Sequence, residues 1–139
     1  MNIAFPLNPI QTLMDIAERR YPDIQFVITV YEQELTEKGA AYGYCLTIQN
    51  EGKSLIRLNA CQPFGEIPLT LAHEIAHAKI DKDFTGVQVH GKEFKAEFRA
   101  IAKEYNQILK EEMGKYDDEG WAEYVGYIHI YTSRRKKAK

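Results

Sequence analysis

Between residues 10 and 21 the apolar side chains Ile10, Leu13, Met14, Ala17 and Tyr21 recur at three- and four-residue intervals, the spacing that lines one face of a helix. Asn8 and Pro9 precede them as a capping side chain and a first-turn proline, and Pro22 closes the run. The period then changes to two. Ile24, Phe26, Ile28 and Val30 alternate with Gln25, Val27, Thr29 and Tyr31, which predicts a strand with one strongly apolar face. A turn at Glu37-Lys38-Gly39 leads to a second strand over residues 42–49. Asn50-Glu51-Gly52 then makes a tight turn into a third, residues 54–59. Together these predict a small three-stranded, mainly antiparallel sheet, followed by a linker carrying Pro63, Gly65 and Pro68.

Residues 69–80 are apolar nearly all round: Leu69, Leu71, Ala72, Ile75, Ala76, Ala78 and Ile80 surround three polar residues, His73, Glu74 and His77. Such a helix is a buried one. Asp81, Lys82, Asp83 and Gly86 are expected to end it. From Lys92 the helical period returns, with Phe94, Phe98, Ile101, Ala102, Tyr105, Ile108 and Leu109 in one stripe and Gly114 at its close. The aromatic residues of that stripe read as core packing. Tyr116-Asp117-Asp118-Glu119-Gly120 is an acidic loop, and residues 121–131 form a last amphipathic segment whose 127–131 part is strand-like. The fold class is therefore α+β, in a single domain over residues 1–133. Residues 134–139 are expected to be a disordered basic tail.

With 139 residues and 45% hydrophobic content, the chain can build one core but not two. Its formal charge is −2, yet five of the last six residues are basic, so the rest of the chain carries −7. The basic tail offers a contact to DNA or another acidic surface, although a short terminal charge run also suits a plain solvated end. Cys45 and Cys61 form no CxxC pair, which argues against a thiolate metal site. No apolar segment reaches the roughly 18 residues of a membrane span, and the N-terminus lacks a signal peptide's charged start and apolar core. The expected compartment is the cytoplasm.

His73 and His77, four residues apart on a helix, project from one face close enough to bind one metal ion. Glu74 is turned about 100° from His73, so it cannot join the pair as an equal but can reach a water on the metal. If the helix were only core, burying two imidazoles and a carboxylate without partners would cost several kcal/mol; a metal removes that difficulty. A catalytic zinc takes three protein ligands, so one more is needed. His90 is the first candidate, because the chain has room to reverse before it and Gly91 lets the backbone pass close. Glu93 and Glu97 on the next helix compete, with Asp81 and Asp83 behind them. Candidates for stabilising an oxyanion are Tyr127, His129, Tyr131 and Arg57, with His129 better read as a structural or surface residue.

The run His73-Glu74-Ile75-Ala76-His77, followed by His90-Gly91-Lys92-Glu93-Phe94, resembles the HExxH and HGxxF pattern of the SprT-like (Spartan-type) zinc metallopeptidases. Ile56-Arg57-Leu58-Asn59 is similar to the strand that precedes the metal helix in that family. The resemblance implies a zincin-like fold, one catalytic Zn2+ on His73, His77 and His90, and Glu74 as catalytic acid and base. It covers residues 54–98 and corresponds to a minimal catalytic core without the family's zinc ribbon. The implied function is peptide hydrolysis on a protein or peptide substrate, with DNA-associated proteins among the targets. The alternative of a different class is a non-catalytic zinc-containing binding or regulatory module, nucleic-acid associated through the tail. A zinc hydrolase acting on bonds other than peptides is a third reading.

Overall fold

The computed structural model describes residues 7–36, 41–48, 52–83, 90–114 and 128. Asn8 opens the first helix, α1 (Pro9–Arg20): its side-chain oxygen accepts from the backbone N–H groups of Ile10 at 3.0 Å and Gln11 at 3.1 Å. Pro9 has no N–H to leave unpaired in that first turn. Arg19 and Arg20 lie in the last turn, where the helix dipole is negative. The face buried in the core carries Leu13, Ile16 and Ala17.

Three strands follow, β1 (Gln25–Tyr31), β2 (Gly43–Ile48) and β3 (Lys53–Asn59). The mainly antiparallel sheet expected from the turn signals is corrected to a mixed one. β3 lies in the middle, antiparallel to β2 but parallel to β1. Only β2 and β3 are joined by a connection short enough for a hairpin, at whose end Gly52 takes the left-handed φ of 62° that other residues resist. The longer link from β1 lets β2 skip one position across the sheet, and the hairpin brings β3 back into the gap. Residues 37–40, where the first turn was expected, lie outside the described residues.

Asn59 holds that skipped connection. It is fully buried, accepts from the backbone N–H of Gln33 (3.2 Å) and Cys61 (3.0 Å), and donates to the carbonyls of Gln33 (3.0 Å) and Ala41 (3.2 Å). Removing one buried amide strands several backbone groups at once, so Asn59→Ala should cost about 3 kcal/mol. The check is the urea midpoint; an unchanged midpoint would mean that the amide does not hold the connection.

Alternation along β3 sends Ile56 and Leu58 toward the helices and Leu55 and Arg57 to the opposite face. A short 3₁₀ turn (Phe64–Glu66) leads into α2 (Ile67–Asp83). This helix is longer at both ends than the apolar run suggested. Pro68, read as linker, sits in the first turn, where its missing N–H costs nothing, and Asp81 to Asp83 continue the helix instead of ending it. α2 is pinned to the sheet by a buried chain of hydrogen bonds. Thr70 donates to Gln62 Oε1 at 2.7 Å, and Gln62 Nε2 donates to the carbonyls of Tyr42 (2.8 Å) and Asn59 (2.9 Å). The approach is close enough that a Cβ on Gly43 would stand 2.8 Å from the Thr70 methyl and 2.9 Å from the Arg57 carbonyl oxygen.

The last described helix, α3 (Lys92–Gly114), packs Phe94, Ile101, Ala102, Tyr105 and Leu109 into the core with Leu71, Ile75 and Ile80 of α2 and Leu13 and Ile16 of α1. Asn106 on α3 grips one residue of the later chain as a strand neighbour would: it donates to the Ile128 carbonyl at 2.8 Å and accepts from its N–H at 2.9 Å, with the Ile128 side chain buried. The acidic loop over 116–120, the rest of the 121–131 segment and the basic tail lie outside the described residues. Among the described residues no helix is long and apolar enough to cross a membrane. The architecture is α+β, with three helices and a small mixed three-stranded sheet.

Candidate metal centre

α2 carries two polar stripes of opposite use. Thr70 and Glu74, one turn apart, lie on the side turned to the sheet, where Thr70 meets Gly43 of β2. His73 and His77 lie on the side turned to α3, where the His73 ring meets Phe94 edge-on with centres 4.9 Å apart. The exposed His90 reaches them from the turn just before α3.

The three imidazoles converge through one nitrogen each. His77 Nε2 is 3.0 Å from His73 Nε2 and 3.0 Å from His90 Nε2, and the remaining side of the triangle is 3.3 Å. A neutral imidazole nitrogen carries either a proton or a lone pair. Around a triangle of three such atoms at least one contact must pair like with like, so hydrogen bonds cannot satisfy the cluster. A single cation accepts three lone pairs together. Nitrogens about 2.0–2.1 Å from one zinc at tetrahedral angles stand about 3.3 Å apart, so the donor set fits that ion.

Electrostatics favour the form a metal needs. The His73 pKa is lowered to about 4, first by burial and then by the neighbouring His77 and His90. Its ring is therefore neutral at pH 7, with a lone pair to donate. Phe94 is the common floor: its ring centre is 4.9 Å from that of His73, 4.6 Å from that of His77 and 5.0 Å from that of His90, and Phe98 stacks beneath it at 6.2 Å. Sequence spacing marked both residues as core packing. Phe94 is buried, but it also packs against all three imidazoles, and its position one turn after His90 was the available signal.

Glu74 follows His73 directly and is only 7% exposed. Among the described residues, His73, His77 and His90 are the one group of three ligating side chains close enough for an ion. Of the competing ligands, Glu97 is engaged elsewhere, accepting from the Tyr21 hydroxyl at 2.5 Å. Burial and then that bond push the Tyr21 pKa up to about 12. Glu93 is half-buried and outside the histidine group, and the side chains of Asp81 and Asp83 are not among those described. Tyr127, His129 and Tyr131 fall outside the described residues, while Arg57 lies on the sheet face opposite α2. Spacing gave no hint of Gln62 and Asn59, whose buried hydrogen bonds seat α2 on the sheet.

No family model, curated protein or solved structure matches the chain.

Proposed function

We propose that this chain is a zinc-dependent metallopeptidase of the SprT-like, zincin type, holding one Zn2+ through His73, His77 and His90 and hydrolysing peptide bonds with Glu74 as general base. The observation that carries this reading is the triangle of imidazole nitrogens, 3.0, 3.0 and 3.3 Å apart, with a buried glutamate following one of the three histidines in sequence. The HGxxF pattern supports it too, because Phe94 touches all three rings.

When bound, zinc supplies the Lewis acidity that polarises a carbonyl and brings the pKa of a water toward 7. Glu74 then has two tasks. Its carboxylate takes the proton of the attacking water, and the same group passes that proton to the departing amine as the C–N bond breaks. Near-complete burial keeps competing solvent from the carboxylate. Extended substrate would add to the outer edge of β2, the edge strand packed on α2, by strand pairing.

The test is joint measurement of metal and turnover. Purified protein should contain one zinc per chain, and casein hydrolysis should stop on chelation and return with added zinc. Hydrolysis indifferent to chelation, or protein that binds no zinc, would remove the proposal.

A further inference from the structure

Arg57 leaves β3 on the face turned away from α2. Tyr44 stands opposite it across the β2 pairing, and Tyr31 lies two residues beyond Thr29, its partner on β1. The guanidinium carbon lies 5.2 Å from the Tyr31 ring centre and 5.5 Å from that of Tyr44, and the two rings are 5.7 Å apart. Nη1 donates to the Tyr44 hydroxyl at 2.6 Å, while the Tyr31 hydroxyl donates to the Ala41 carbonyl at 2.8 Å. The charged head of a half-buried arginine is thus fixed by two rings and one hydrogen bond.

Among the described residues, only the Tyr44 hydroxyl is hydrogen-bonded to the guanidinium. Five N–H groups fan out in its plane, and Tyr44 takes one. The chain has 20 acidic residues, yet no described carboxylate pairs with Arg57. A cation seated against two neighbouring rings, with the rest of its N–H groups unclaimed by any described residue, has the form that accepts a carboxylate through two parallel hydrogen bonds. Its position also bears on the metal helix. The Arg57 carbonyl oxygen and the Thr70 methyl stand 2.9 and 2.8 Å from where a Cβ on Gly43 would lie, and Thr70 is one turn before Glu74 on α2, so the strand segment that carries Arg57 is the one that meets the metal helix.

We propose that Arg57, seated against the adjoining rings of Tyr31 and Tyr44, is a specificity-determining residue that binds a carboxylate of a peptide, either an acidic side chain or the chain's C-terminus. That the carboxylate belongs to a peptide rests on the metallopeptidase reading; that an anion binds there does not. Lysine cannot replace it, because a point charge lacks the planar fork.

The experiment is NMR titration of the full chain carrying Glu74→Gln, so that nothing is cleaved, read at the backbone amides of Tyr44 and residue 57 in every variant and also at Nε–H where Arg57 is present. N-acetylglutamic acid α-amide probes side-chain recognition and N-acetylglycine probes a C-terminus, each set against its neutral counterpart, N-acetylglutamine amide or N-acetylglycinamide. At least one acid should give a saturable shift and bind about tenfold more tightly than its neutral partner, the preference expected for a charge-assisted bidentate pair. Whichever acid binds identifies the source of the carboxylate. Arg57→Gln should abolish the preference and Arg57→Lys should lose most of it; the lysine variant alone decides if the glutamine variant does not fold. Absence of a shift with both acids, equal binding of the neutral compounds, or a preference that survives in folded Arg57→Lys would overturn the proposal. The readout involves neither metal content nor turnover, so its failure would be distinct from a chain without zinc or hydrolysis.

Discussion

Glu74→Gln is expected to keep one zinc per chain while peptide hydrolysis falls by about a hundredfold to ten-thousandfold, the range over which a positioned general base contributes. The amide has the size and shape of the carboxylate it replaces, so a group that is only 7% exposed loses no packing. What it loses is the ability to accept a proton. The effect should appear in kcat with zinc content and melting temperature held constant, a combination that separates lost chemistry from lost structure. A variant that hydrolyses at the wild-type rate would leave Glu74 without the assigned task.

His77→Ala should release the metal. His77 Nε2 is the corner of the triangle that stands 3.0 Å from both other nitrogens, so its removal leaves two donors on different elements, His73 on α2 and His90 before α3. Losing even an outer-shell partner of a metal ligand commonly costs about tenfold to a hundredfold in affinity, and losing a ligand itself should exceed about a hundredfold. Competition against a chromogenic chelator measures this directly. Glu97→Gln is the matched control: its carboxylate accepts from Tyr21, so zinc affinity should not change. If His77→Ala binds zinc as tightly as wild type, or Glu97→Gln releases it, the ligand set is wrong.

The parts of this molecule that were legible in its sequence are those governed by local spacing. His73 and His77 share a face because a helix repeats every 3.6 residues, and that follows from the sequence alone. Asn8 caps α1 by a contact across three residues. His90 was reachable because the following glycine and Phe94 made a pattern, although its convergence with the other two depends on how α3 packs against α2. The strand order was not legible. Alternation and turn residues mark where strands begin and end, but whether β3 takes the edge or the centre is decided by pairing between residues far apart, such as Ile28 with Ile56. The same limit applies to Arg57. It was noticed as a cation near the expected site, while its aromatic walls come from register across three strands and not from any neighbour in sequence. Asn59 and Gln62 were missed for a related reason, since a polar side chain at a strand end looks like turn chemistry until its distant backbone partners are known.

The central position of β3 also has a consequence for a nascent chain. β1 leaves the ribosome before the strand it will lie beside has been made, and β2, synthesised between them, is not its neighbour. Throughout that interval β1 is an unmatched ribbon rich in β-branched residues, and Val27 and Val30 remain 41% and 58% exposed even in the finished fold. Such a ribbon invites capture by holdase chaperones or by another copy of itself. Slow translation between Tyr31 and Asn59 would prolong the hazard, whereas a pause after Asn59 would give the ribbon time to find its mate.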